Sequence, residues 1–127
     1  MQLQRALDFG VETSIPTHFE VWIDAYLGFS QRFPLPDHVL AKCNEANRSE
    51  ALKISLDVPT GFDGDSNALY FNCDRILTLA APKKLLYKLP DSIEIFIADI
   101  GIPSAVYQKF ELDPLPFDVD NILKLIR

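Results

Sequence analysis

The stretch LKISLDVPTGFD, residues 52–63, places the strongest constraint on how this chain folds. Its first part predicts a strand, because aliphatic residues stand at alternate positions: Leu52, Ile54, Leu56 and Val58. Pro59 cannot continue a central strand, and Gly61 admits backbone conformations closed to other residues. The strand is therefore predicted to end at about Asp57, with Asp57 and Thr60 at its carboxyl end, the edge where open α/β sheets bind ligands.

The rest of the chain alternates between apolar runs and loops rich in proline and polar residues. The predicted elements, in chain order, are the end of a helix over 1–9, a strand over 19–25, a helix over 37–49, the strand just described, a strand over 75–80, a strand within 92–101, a short helix over 104–112 and a last helix or strand over 122–126. Near-continuous apolar strands separated by helices or loops predict an α/β fold whose largely parallel sheet is covered on both faces. Four strands are few for such a sheet, so we expect part of it to be missing from this sequence.

Size and composition indicate a single domain over residues 1–127, with 48% hydrophobic residues to form one core. The net charge is −6 and no cluster of Lys and Arg is present, which argues against nucleic acid and anionic membranes as partners. The sequence contains no apolar run long enough to cross a bilayer and no secretory signal, so we expect a cytoplasmic protein. Cys43 and Cys73 lie in unlike contexts, and we expect free thiols rather than a disulfide or a metal site.

Three aspartates follow or end predicted strands: Asp24, Asp57 and Asp99. In a parallel sheet Asp24 and Asp57 would lie on the same edge, where a carboxylate can transfer protons or bind a cation. The alternative is that such residues only accept N–H groups of the turn that follows. Gly28 and Gly61 either let the backbone approach a phosphate or ribose or simply form turns.

Other motifs are weaker. The sequence has neither GxGxxG nor GxxxxGK[ST], so it contains no complete phosphate-binding loop. His18 and His38 have no nucleophile or acid at a diagnostic spacing. Lys83 and Lys84 follow a strand end, where they either meet an anionic ligand or remain solvated.

Four motifs in order carry a resemblance to a known family: WIDAYLGFS, ISLDVPTGFDGDS, DRILTLAAPKK and IFIADIGIPSAVYQKF. Together they resemble the carboxyl-terminal half of the YjeF N-terminal domain family, whose enzymes are NAD(P)H-hydrate epimerases. The resemblance covers residues 19–110. It implies a Rossmann-like three-layer α/β/α sandwich with a mostly parallel sheet, incomplete at its N-terminal side, and the interconversion of the R and S forms of hydrated NADH or NADPH.

The resemblance also implies roles for individual residues. Asp57 would contact the substrate and act as the catalytic acid or base, while Asp24 and Thr60 would bind a potassium ion. The loop after Asp24 would line the hydrated nucleotide, with its candidate binding residues Gly28, Phe29, Ser30, Gln31, Arg32, Phe33 and Pro34. Hard oxygen ligands of this kind suit potassium better than any cysteine or histidine here.

The chain departs from the family pattern in two respects: it lacks the GxGNNGGDG-like loop that precedes this region in family members, and its loop DGDSNALYFNCD lacks the glycine common after the DVPSG-like motif. We therefore expect a carboxyl-terminal portion of the domain, which alone shows no measurable epimerisation. A targeting segment in a preceding portion would allow a mitochondrial location. An alternative reading is the related non-catalytic domain of an mRNA-decapping scaffold, which serves for dimerisation and ligand binding, and a homodimer is compatible with either reading.

Overall fold

The protein forms one sheet of five strands, β1 (Val21–Asp24), β2 (Leu52–Leu56), β3 (Arg75–Leu79), β4 (Glu94–Ala98) and β5 (Ile122–Lys124), which neighbour one another in chain order. Strands β1 to β4 are parallel and β5 is antiparallel to β4. The structure is a computed structural model that describes residues 2–14, 18–65, 69–117 and 121–126. The predicted α/β class with a mostly parallel sheet is confirmed.

Helices α1 (Gln2–Asp8), α2 (Asp37–Asn47) and α3 (Ser104–Lys109) and one 3₁₀-helix (Lys84–Lys88) connect or flank the strands. The prediction extended several elements too far, among them those over 19–25, 37–49, 104–112 and 122–126. Strand β1 is short because its ladder with β2 contains only four residue pairs, from Val21 to Asp24. The last apolar stripe forms a strand rather than a helix. No helix in the described ranges is long and apolar enough to cross a bilayer.

One face of the sheet carries the hydrophobic core. Buried residues come from α2, from the loop between β2 and β3, from the strands themselves and from the 3₁₀-helix region: Val39, Cys43, Ala46, Val58, Phe62, Phe71, Cys73, Ile76, Ile95, Leu86, Leu89 and Ile93. All three connections between parallel strands therefore pack on the same side. This follows from the strand order, because right-handed crossovers between successive neighbours all run over one face.

The opposite face of the sheet remains partly open. Val21, Ile23, Leu79 and Ile122 point to it and are 43%, 58%, 39% and 51% exposed. Within the described residues this face is therefore only partly covered, which agrees with the expectation that part of the fold is missing from this sequence. The reason is again the order of the strands, since a single direction of crossover leaves the second face without a connection of its own.

Candidate functional site

Asp24 ends β1 as a buried carboxylate that is 5% exposed. Its Oδ1 accepts hydrogen bonds from the Thr60 hydroxyl (2.7 Å) and the Tyr26 N–H (3.3 Å), and its Oδ2 accepts from the Thr60 N–H (2.8 Å) and the Ser55 hydroxyl (3.0 Å). Four donors match the approximately four lone-pair positions of a carboxylate. Asp24 therefore ties β1 to β2 and to the turn after β2.

Thr60 is the link between the two strand ends. It is 1% exposed, and its hydroxyl donates to Asp24 while accepting the Leu27 N–H at 3.3 Å. Asp24 and Thr60 also line a cavity of about 390 Å³ between β1 and α2. Their hard oxygens are of the type that a monovalent cation prefers. The described residues contain no group of three or more His, Cys, Asp or Glu side chains that could hold a metal ion.

Asp57 follows β2 directly and adopts a left-handed backbone conformation, with φ of 68°. This region is uncommon for residues other than glycine and is least unfavourable for Asn and Asp. The Asp57 Oδ1 lies 2.5 Å from the Lys83 ammonium and 3.4 Å from the Thr78 hydroxyl, while Oδ2 accepts the Phe29 N–H at 3.3 Å. The turn after β2 thus aims the carboxylate between the loops that follow β1 and β3.

The environment keeps Asp57 in its charged form. Burial raises the pKa of Asp57, but the hydrogen bond and the charge of Lys83, together with the Phe29 N–H, outweigh this effect and hold the pKa below its ordinary value. At neutral pH the side chain therefore acts as a proton acceptor. Its acid form is present only after it has taken up a proton.

The loop over 28–34 packs closely on the Asp57 turn. A Cβ atom at Gly28 would lie 3.3 Å from the Asp57 Oδ2, so the absence of a side chain lets the backbone approach the carboxylate. Gln31 binds the turn with both ends of its amide: its Nε2 donates to the carbonyls of Pro59 (3.2 Å) and Phe62 (2.8 Å), and its Oε1 accepts the Gly61 N–H (2.7 Å). The other candidate residues of this loop have exposed side chains: Phe29, Ser30, Arg32, Phe33 and Pro34.

Replacing Gln31 by Ala is expected to lower the free energy of unfolding by about 2 kcal/mol, because three hydrogen bonds to the turn are lost and each contributes about 0.5–1.5 kcal/mol. Urea unfolding followed by circular dichroism measures this change. Arg32→Ala is the matched control, since that neighbouring side chain is exposed and should leave stability within about 0.5 kcal/mol. A Gln31→Ala variant as stable as this control would contradict the conclusion that Gln31 stabilises the turn after β2.

Lys83 is part of the site. The sequence left open whether this lysine meets a ligand or remains solvated. Its ammonium contacts Asp57, and it donates to the Thr78 hydroxyl (3.0 Å) and the Leu79 carbonyl (2.8 Å). The sequence signal was the position of AAPKK directly after a strand at the same edge. Asp99, in contrast, accepts the N–H of Gly101 at 2.8 Å, as the simpler interpretation of a strand-end aspartate predicted.

The two cysteines take no part in the site. Cys43 and Cys73 are free and buried, as predicted. Burial raises the pKa of both thiols, that of Cys73 to about 12. A thiolate nucleophile is therefore disfavoured at either position.

Known proteins resemble this chain over most of its length. The sequence model of the family described as YjeF-related protein N-terminus matches residues 2–85. An NAD(P)H-hydrate epimerase of Rhodopirellula baltica is 32% identical over 99 residues, which cover 73% of this chain and 41% of the relative. An NAD(P)H-hydrate epimerase of Dehalogenimonas lykanthroporepellens is 35% identical over 112 residues, which cover 84% of this chain and 45% of the relative. The chain thus spans less than half the length of these relatives.

A solved structure also resembles this chain. The crystal structure of the yeast protein ynu0 superposes with a TM-score of 0.65 at 27% identity and covers 81% of this chain and 45% of the yeast chain. Fold, strand-end motifs and sequence matches therefore lead to the same result, and the chain belongs to the YjeF-related protein N-terminus family.

Proposed function

We propose that this chain supplies the Asp57 edge of an NAD(P)H-hydrate epimerase site, an isomerase acting on hydrated NADH or NADPH. Family membership and the names of the relatives support this reaction. The observation that carries the proposal is the position of Asp57 at the carboxyl edge of the sheet. Lys83 keeps its carboxylate in the charged form, and the backbone N–H of Phe29, in the loop after β1, donates a hydrogen bond to it. None of these observations favours the scaffold alternative.

The charged carboxylate suits the chemistry that the reaction requires. Epimerisation breaks the bond between the hydrated ring carbon and its hydroxyl, and water then adds to the other face of that carbon. Loss of the hydroxyl leaves positive charge on the ring, which a neighbouring carboxylate stabilises. The hydroxyl leaves as hydroxide with the bonding electrons, Asp57 takes one proton from the water that adds, and the protonated Asp57 then gives that proton to the released hydroxide, which departs as water.

We further propose Asp24 and Thr60 as the residues that would hold a potassium ion. Support comes from their donor chemistry, since a carboxylate and a hydroxyl oxygen 2.7 Å apart line one cavity. When bound, the ion would supply fixed positive charge and hold the loops after β1 and β2 in register. Because Asp24 already accepts four hydrogen bonds, the Thr60 hydroxyl would have to turn its proton away from Asp24 to admit a cation.

The loop over 28–34 is the proposed wall for the hydrated nucleotide. Its backbone contacts Asp57 through Phe29, and a cleft of about 440 Å³ beside it is lined by Phe29, Lys83, Lys84, Leu85 and Lys88. The aromatic ring of Phe29 and the cationic side chains of Lys84 and Lys88 complement a nucleotide with its phosphates. The cytoplasmic location stays a prediction from the sequence.

A homodimer is also proposed. Its support is the apolar open face of the sheet, where Val21, Ile23, Leu79 and Ile122 remain exposed, because large exposed apolar patches commonly mark protein interfaces. Sedimentation equilibrium tests it. A mass of one chain at micromolar concentration would argue against the dimer.

Binding of the hydrate tests the proposed function without requiring turnover. The R hydrate of NADH, added to millimolar concentration, is expected to shift the amide NMR signals of Phe29 and Leu27, the two N–H groups that the loop donates to Asp57 and Thr60. The Asp57→Asn variant should lose most of this response, whereas Asp99→Asn should keep it, because Asp99 accepts an N–H of its own turn. Amide signals that stay fixed in the unaltered chain would overturn the proposal.

A further inference from the structure

We propose that Lys83 is a positioning residue of this site, which fixes one oxygen of Asp57 and leaves the other free to exchange protons with the substrate. The catalytic part of this inference rests on the proposed function. The structural part, an ion pair between Lys83 and Asp57 near the ends of β3 and β2, does not depend on the proposed function. Lys83 itself has no assigned role in the reading from the family resemblance.

Three acceptors surround the Lys83 ammonium: the Asp57 Oδ1 at 2.5 Å, the Leu79 carbonyl at 2.8 Å and the Thr78 hydroxyl at 3.0 Å. A lysine ammonium has three protons, so this set satisfies all of them. The side chain is 22% exposed and that of Asp57 is 21% exposed, so the pair is shielded from water on most sides. Lys83 is therefore held in one position, with its protons committed to protein acceptors.

Lys83 differs in this respect from the other lysines of the same cleft, whose side chains are more exposed. Lys84 has an exposed side chain, and Lys88 forms an exposed ion pair with Asp65 at 3.1 Å. These two side chains can turn toward a ligand phosphate at little cost. Lys83 would have to break contacts with Asp57, Thr78 and Leu79 to do so, which makes it poorly suited to bind an incoming anion.

The backbone after β3 places Lys83 where it reaches Asp57. Ala80 adopts a left-handed conformation with φ of 65°, and the Ala81 N–H donates to the Leu79 carbonyl at 2.7 Å. Pro82 then restricts the chain, and Lys83 precedes the 3₁₀-helix. The chain therefore turns back sharply, so the lysine side chain lies over the end of its own strand and beside the end of β2.

The two oxygens of Asp57 are consequently unequal. Oδ1 contacts the Lys83 ammonium and the Thr78 hydroxyl, whereas Oδ2 accepts the Phe29 N–H at 3.3 Å. The Leu79 backbone N–H also helps to lower the pKa of this carboxyl. Gly28 leaves space above Oδ2 that a Cβ atom would restrict. Oδ2 is thus the oxygen that faces the loop over 28–34, and we assign proton exchange to it.

Charge removal at Lys83 tests the inference in the 127-residue chain. Titration of the side-chain carboxyl carbons by ¹³C NMR measures the protonation of Asp57 directly. Lys83→Met is expected to move the Asp57 titration to higher pH, because the ammonium that stabilises the carboxylate is gone. Lys84→Met is the matched control, and it should leave the Asp57 titration in place. Lys83→Arg keeps the charge and should restore most of the unaltered behaviour.

A second measurement uses the unaltered chain, so that a variant that fails to fold does not decide the matter. If Lys83 is fixed as described, its ammonium protons exchange slowly enough to be observed, and they show a coupling across the hydrogen bond to the Asp57 carboxyl carbon. Fast exchange with no such coupling would refute the inference. Equal titration of Asp57 in the Lys83→Met and Lys84→Met variants would also refute it.

Substrate binding separates this inference from the proposed function. If the hydrate shifts the Phe29 amide but Lys83→Met leaves the Asp57 titration unchanged, the function stands and the role of Lys83 is wrong. If the titration moves as expected but no hydrate binds, the ion pair is real and the proposed function is wrong. Where both hold, Lys83→Met should move the pH at which binding depends on Asp57 in the same direction as the titration.

Discussion

Replacing Asp57 by Asn is expected to lower the rate of epimerisation about 10²–10⁴-fold, the range that loss of a general acid or base commonly costs. The variant should be tested in a domain of the length that the relatives have, made by joining these residues to the remaining part of the Rhodopirellula baltica epimerase, which is 32% identical over the matched region. Conversion of the R hydrate to the S hydrate, followed by chromatography, measures the rate.

Asn is the appropriate replacement because it preserves the local structure. Asp57 has a φ of 68°, and Asn tolerates this left-handed conformation as well as Asp does. The amide oxygen can still accept the Phe29 N–H, while the proton-accepting charge is lost. The loss of rate should therefore come with little change in the folded state, as judged from circular dichroism.

The control for this variant is Asp99→Asn, which alters another strand-end aspartate of the same edge region. Within the described part of the chain the Asp99 side chain accepts the Gly101 N–H and does not contact Asp57, so the rate should remain within about twofold of the unaltered domain. Full epimerase activity in the Asp57 variant would contradict the assignment of Asp57. Equal losses in both variants would show that the strand ends act on folding rather than on chemistry.

The edge of the sheet could be predicted because local sequence determines it. Pro59 and Gly61 stop β2 where the pattern indicated, and parallel pairing of β1 with β2 brings Asp24 and Asp57 to one side. The open face was not predicted, because hydrophobic periodicity shows that a strand is apolar and not which face a connection covers. That information lies in the order of the strands, which only the structure gives.

The contacts between loops could not be predicted from the sequence either. Gln31 and Lys83 lie 28 residues before Pro59 and 26 residues after Asp57, and nothing at those positions indicates a partner at such a distance. The family resemblance predicted that Gln31 lines the nucleotide site. Lys83 was singled out because it follows a strand end. Their hydrogen bonds give them structural roles at the Asp57 turn, and the binding role of Gln31 stays a prediction.

Replacing Asp24 by Asn is expected to lower the free energy of unfolding by about 3 kcal/mol. The amide would turn an NH₂ group toward two of the four donors that now surround the carboxylate, and each hydrogen bond to a charged group contributes about 1.5–3 kcal/mol. The site is buried, so water cannot replace the lost acceptor. Urea unfolding measures the change, and Asp99→Asn, expected to cost less than about 1 kcal/mol, is the control.

The Asp24 result also separates the two roles that remain open for this residue. If Asp24 serves the turn, as its four hydrogen bonds indicate, the Asn variant loses stability whether or not potassium is present. If Asp24 is kept to bind a cation, potassium chloride should stabilise the unaltered chain more than sodium chloride at equal ionic strength, and Asp24→Asn should remove that difference. An Asn variant at least as stable as the unaltered chain would mean that the buried carboxylate costs the fold stability, and would contradict the turn role.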